Sequence, residues 1–245
     1  MTNRVFFPDS NTFKEDMASS RLIPVCTEIV ADLDTPLTLF SKVAGDRNHV
    51  FLFESMEGGE KWGRFSFIGY DPLVTFSSKA DAVTIRELRK GLNDERTFHS
   101  DPLVALKRLI NELGAAEYDE LPRFSGGAVG FLGYDMVRFM EDLPDDGQKP
   151  GNDLPDSSFM IPKIVLVHDS FKQTVTIVCW VRIEENTDST AYDEAVAQIN
   201  EVIDKIKQPV STKLAEESSA GISVPHVFFS NMEKADFELM VEKAK

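Results

Sequence analysis

The sequence predicts an α+β domain of mostly antiparallel sheets with flanking helices. Two observations carry the prediction. Apolar runs with strand character come in pairs joined by turns, at 49–68 and 159–183, and amphipathic helices lie around them at 35–45, 101–114 and 187–207, the first two with cap signals. With 245 residues, 42% of them apolar, the chain can bury the core of one large or two small domains.

From the N-terminus, Ser10 or Asn11 can cap a short helix running to Ser20. Arg21–Val30 then reads as a strand that Pro24 confines to a sheet edge. Thr35 is set as an N-cap with Pro36 as the first helical residue, Leu37, Phe40, Val43 and Ala44 as the apolar stripe and Gly45 as the stop. His49–Phe53 and Arg64–Ile68 pair as a hairpin around Gly58 and Gly59, which turn the backbone where side chains could not.

A turn at Tyr70–Pro72 leads to strands over Leu73–Phe76 and Ala82–Leu88, and the polar stretch Arg89–Ser100 interrupts the pattern. Asp101 caps a helix that Pro102 opens and Gly114 ends, with Leu103, Val104, Leu106, Leu109, Ile110 and Leu113 as its apolar positions. In Phe124–Glu141 four glycines thread an apolar strand, which implies close backbone approach. A phosphate loop is excluded there, because neither a following Lys-Ser or Lys-Thr nor GxGxxG spacing is present. Tyr134 and Asp135 open a short helix with Val137, Phe139 and Met140 inward.

Asp142–Ser158, acidic and rich in proline and glycine, is a surface loop. Phe159–His168 and Val175–Ile183 form a second hairpin, and Thr187–Lys207 is an amphipathic helix carrying Tyr192, Ala195, Ile199, Val202, Ile203 and Ile206 on one face. Periodicity vanishes over Gln208–Ile222. Val224–Phe229 is again strand-like, and Ser230 and Asn231 can cap a helix that reaches Lys245 without a stop signal, as expected of a piece cut from a longer protein. The predicted organisation is a domain at 1–207, a linker at 208–223 and the start of a second domain at 224–245.

A net charge of -15 argues against nucleic acid or an acidic membrane surface as partner. Cys26 and Cys179 lie far apart in apolar runs and read as reduced core residues, with cytoplasmic localisation expected. The four histidines are dispersed without ligand spacing and read as structural. With 41 carboxylates in the chain, proximity of any two is uninformative.

The chemistry worth weighing sits on the first hairpin. Glu54 and Ser55 leave one strand as Arg64, Phe65 and Ser66 enter the other, with Leu52 and Phe53 as apolar wall. A zwitterionic amino acid needs that set, a carboxylate for its ammonium, a guanidinium or N–H for its carboxylate and an apolar wall for its side chain. The alternative is a surface ion pair between Glu54 and Arg64, contributing about 0–1 kcal/mol.

The run FLFESMEGGEKWGRFSFIG at 51–69 resembles the LLES stretch and W-G-R-[YF]-S-F-I-G continuation of anthranilate synthase large subunits, with Phe53 in place of the second leucine. The strand, Pro-initiated helix and Glu-Ser order upstream is similar as well. FSGGAVGFLGYDMVRFME at 124–141 and SNMEKADFELMVEKAK at 230–245 resemble two further segments of that family. The resemblance implies an N-terminal regulatory domain followed by the start of a chorismate-binding catalytic domain.

It further implies that Glu54 and Ser55 bind the feedback inhibitor L-tryptophan, with Arg64, Phe65, Ser66, Leu52 and Phe53 around it. Pro36 would shape the helix behind that pocket. The full-length protein would aminate chorismate with ammonia from a glutamine amidotransferase subunit and eliminate pyruvate, using Mg2+ held outside this fragment. The fragment alone would be inactive. Two alternatives stay open: the large subunit of aminodeoxychorismate synthase, and a non-catalytic module that docks the glutaminase subunit.

Overall fold

The computed structural model describes residues 4–45, 47–54, 63–89, 92–122, 124–143, 154–188, 190–210, 230 and 232–244. Ser55, the Gly58–Gly59 turn, most of the 142–158 loop, and the connector and strand expected over 211–229 lie outside them. By contacts the chain divides into two units, Met1–Val210 and Ser211–Lys245.

In the first unit, α1 (Ser10–Asp16), β1 (Leu22–Val30), α2 (Pro36–Ala44) and β2 (Val50–Glu54) precede β3 (Phe65–Lys79), β4 (Ala82–Arg89) and β5 (Leu92–His99). There follow α3 (Pro102–Leu113), β6 (Val129–Leu132), a 3-10 turn at Tyr134–Phe139, β7 (Ser157–Asp169), β8 (Thr174–Arg182) and α4 (Thr190–Ile206). The strands form one eight-stranded sheet, β1-β8-β7-β3-β4-β5, to which β2 adds on β3 and β6 on β7, every pairing antiparallel. The α+β architecture expected from the sequence is the one observed.

Helices cover both faces, so the middle of the sheet is buried twice. One face holds Ile68, Tyr70, Ile164, Leu166 and Ile177 under Phe13 of α1, Leu39 and Val43 of α2, and Ile199 and Ile203 of α4. The other holds Val74, Phe76, Val165, Val167 and Val178 under Ala105 and Leu109 of α3. All six apolar positions read off the sequence for α4 are buried, and each isoleucine there is worth about 2 kcal/mol of transfer free energy.

Caps fix where the helices begin. Thr35 accepts from the Thr38 N–H while the Thr38 hydroxyl accepts from the Thr35 N–H, a reciprocal capping box ahead of Pro36. Asp101 accepts from the Leu103 and Val104 N–H groups, and Gly114 closes α3 in the left-handed region. Asp9, not Ser10 or Asn11, caps α1, and that helix ends at Asp16.

Three other expectations are corrected. Tyr70–Pro72 is not a turn: β3 runs through it with a bulge, where Asp71 takes φ 52° and Pro72 faces Pro162, two residues with no N–H to donate. Arg89–Ser100 is not an interruption, because Leu92–His99 forms strand β5 against β4. In the 3-10 turn the inward residue is Met136, whereas Met140 is 57% exposed.

The second unit contains α5, Lys234–Ala244, with no buried residue. Among the described residues no helix is long and apolar enough to cross a membrane.

Candidate functional site

The hairpin of β2 and β3 is in register Leu52↔Ile68, Phe53↔Phe67 and Glu54↔Ser66. Side chains alternate along a strand and directly opposed residues share a face. Leu52, Glu54 and Ser66 therefore share the face that α2 and α4 cover, and Leu52 packs against that core. Phe53 and Phe65 belong to the opposite face. Two of the apolar candidates are thus separated by the sheet itself from the Glu54 carboxylate.

On that opposite face the aromatic rings make their own surface. Phe51 lies 5.0 Å from Phe53 and 6.4 Å from Phe124 between ring centroids, and Phe67 lies 5.1 Å from Phe124. Gly69 makes room for this, since a Cβ there would stand 2.1 Å from Cε1 of Phe51. Beside the rings runs a groove of about 860 Å³ lined by Phe65, Arg64, Asp169, Val167, Cys26 and Thr176.

Arg64 is not the partner of Glu54. Its guanidinium grips Asp169 at two points, Nε to Oδ1 at 2.9 Å and Nη2 to Oδ2 at 2.5 Å, and it stacks 4.8 Å above the Phe65 ring and 5.4 Å from that of Phe171. The Asp169 carboxylate also accepts from the Phe171 and Lys172 N–H groups. The Arg64 hydrogen bonds first, and those N–H groups after them, hold its acid below the usual carboxylate range against the opposing effect of burial. Among the described residues the Glu54 carboxylate has no ion pair or hydrogen bond, and neither has the Ser66 hydroxyl.

Behind this face stands α2. Pro36 opens it, and Lys42 reaches back to Asp34 at 2.6 Å with both side chains about nine-tenths buried. Lys42 Nζ also donates to the Ile206 carbonyl at 2.8 Å, fastening α2 to the end of α4.

One residue at this end of the sheet was read from the sequence only as structural. His168 of β7 lies opposite Ser66 of β3 on one side and Val175 of β8 on the other, is 4% exposed, and among the described residues has no hydrogen-bond partner at either ring nitrogen. Glu54, Ser66 and His168 thus form a transverse row on one face. Period-two alternation could have placed His168 on a face, but only the β3–β7 pairing, across about a hundred residues of sequence, places it beside Ser66.

The comparisons with known proteins bear on what this face belongs to. Residues 49–245 match the chorismate binding enzyme family. The chain is a member of that family. Anthranilate synthase component 1 of Acetivibrio thermocellus is 35% identical over 98% of this chain and 48% of its own length. The protein of the same name from Pseudomonas putida is 30% identical over 91% of this chain and 44% of its own length. The crystal structure of anthranilate synthase component I from Streptococcus pneumoniae TIGR4 shares the fold, with a TM-score of 0.50 at 23% identity over 88% of this chain and 44% of that one. The chain therefore spans about half the length of the relatives it matches.

Among the described residues of this family member, no group of three or more His, Cys, Asp or Glu side chains is placed to hold a metal ion.

Proposed function

We propose that this chain is the N-terminal, tryptophan-sensing half of an anthranilate synthase component I. The full-length protein converts chorismate with ammonia, or with glutamine through an amidotransferase subunit, to anthranilate and pyruvate, with Mg2+ bound by parts outside this chain. The similarity to proteins named anthranilate synthase component 1 over 91–98% of the chain supports the enzyme assignment. The observation that carries the sensing role is the Glu54 carboxylate opposite the Ser66 hydroxyl at the end of one sheet face, neither with an ion pair or hydrogen bond among the described residues.

In this reading Glu54 takes the ammonium of L-tryptophan, Ser66 and the neighbouring Ser55 supply hydroxyls, and Leu52 supplies apolar contact. Arg64 holds the base of the hairpin through Asp169, and Pro36 sets the helix behind the face. Phe53 and Phe65 stand on the other side of the sheet, away from the bound amino acid. Tryptophan here and chorismate elsewhere on the full-length protein oppose each other because each favours a different state of one molecule, a coupling that is reciprocal in affinity.

The test is a product assay on the full-length protein with chorismate, ammonium and Mg2+. Fluorescent anthranilate that disappears as L-tryptophan is added supports the reading. Aminodeoxychorismate as product, or anthranilate formation indifferent to tryptophan, overturns the corresponding half of it.

A further inference from the structure

One row across β2, β3 and β7 carries the exposed Glu54 carboxylate, the Ser66 hydroxyl and the buried His168 imidazole, and among the described residues neither ring nitrogen of His168 has a hydrogen-bond partner. Neighbouring strands are about 4.8 Å apart, so Glu54 and His168 are about 10 Å apart at Cα, with Ser66 between them. A buried polar group without a partner costs about 1–3 kcal/mol, which a bound group at the His168 imidazole would recover. A carboxylate at one end of the row and an imidazole at the other match the two ends of an α-amino acid.

We propose that His168 is a ligand-binding residue of this site, its imidazole taking the carboxylate of the bound amino acid while Glu54 takes the ammonium. This rests on the sensing role proposed above for the same face and supplies the carboxylate partner expected of Arg64, whose guanidinium is occupied by Asp169.

A proton linkage follows. Burial pushes the His168 imidazole below its ordinary range, and the opposing pull of Asp169 on its own strand, Glu54 on β2 and Asp34 ahead of α2 is smaller. Two of these three carboxylates are already matched, Asp169 by Arg64 and Asp34 by Lys42. A ligand carboxylate beside the ring stabilises the imidazolium and raises its pKa in the complex. Between the free and bound values, binding takes up a proton from solvent, so affinity rises as pH falls through that window and is level on either side of it.

The experiment is calorimetric titration of L-tryptophan into the full-length protein between about pH 6 and 8, in two buffers of different ionisation enthalpy, with His168→Gln in parallel. The expected result is net proton uptake by the wild type, and in the variant loss of that uptake with affinity lower by about tenfold or more. Equal affinity and equal uptake in the variant overturn the role of His168 and leave the sensing role standing. No binding by the wild type overturns the sensing role, and this inference with it. Where the variant does not fold, the wild-type imidazole followed by NMR decides: its pKa rises on saturation with tryptophan, and an unchanged value overturns the proposal.

Discussion

Arg64 and Asp169, 105 residues apart in sequence, meet in a two-point ion pair that ties the base of the first hairpin to the turn between β7 and β8. The Ser170 N–H donates to the Arg64 carbonyl at 2.9 Å and fastens the same junction through the backbone. The end of the sheet that carries Glu54 and Ser66 is thereby anchored on its partner strand.

Arg64→Leu removes the main cause of the low Asp169 pKa. A carboxylate depressed in the folded state contributes stability that is present above its unfolded value and is lost as pH falls through the folded value. The stability difference between wild type and variant is therefore expected to be largest above about pH 4 and to shrink on acidification. Urea unfolding at a series of pH values measures this, and a pH-independent difference would count against it.

Gly69→Ala places a methyl group into the Phe51 ring, which is itself held between Phe53 and Phe124. The expected cost is about 1–3 kcal/mol from overpacking. Adding Phe51→Ala should recover part of that cost, and a double-mutant cycle showing no coupling would refute the contact.

Asp34→Ala leaves the nearly buried Lys42 ammonium with, among the described residues, only the Ile206 carbonyl. Breaking such a pair costs about 3 kcal/mol, seen as a lower urea midpoint with unchanged slope. A loss below about 0.5 kcal/mol would mean that the pair is solvated in solution.

Burial pushes the Cys26 thiol up to about 11 and the Cys179 thiol up to about 12. Neither is expected to react with a thiol reagent at pH 8 in the folded protein, and both should react on unfolding. Fast labelling of native Cys179 would contradict its place in the core.

The legible parts of the sequence are those where cause and effect are local. Thr35-Pro36 and Asp101-Pro102 announced their helices because capping acts over three residues, and the stripe of α4 was readable because helical periodicity needs no partner. Strand β5 escaped because an edge strand carries charge on its exposed surface: Arg86 of β4 reaches Glu95 at 2.6 Å, and Thr84 faces Thr97 at 2.9 Å between hydroxyls. The Pro72 bulge escaped because an isolated proline reads as a turn until Pro162 is seen opposite it.

At the candidate site, the Glu54 strand was legible from its alternation. The partition of Phe53 and Phe65 to the far face, the capture of Arg64 by Asp169 and the place of His168 beside Ser66 all depend on long-range strand pairing. None of these leaves a signal in a window of a few residues.

The measurement that tests the central claim most directly is binding of L-tryptophan to the full-length protein, compared with Glu54→Ala and Phe65→Ala. The two residues lie on opposite faces of the same hairpin, so the pair separates a ligand-binding face from a merely stiff one. The expected result is binding by the wild type, loss of affinity by about tenfold or more in Glu54→Ala, and little change in Phe65→Ala. Undiminished binding by Glu54→Ala would contradict the assignment of that face.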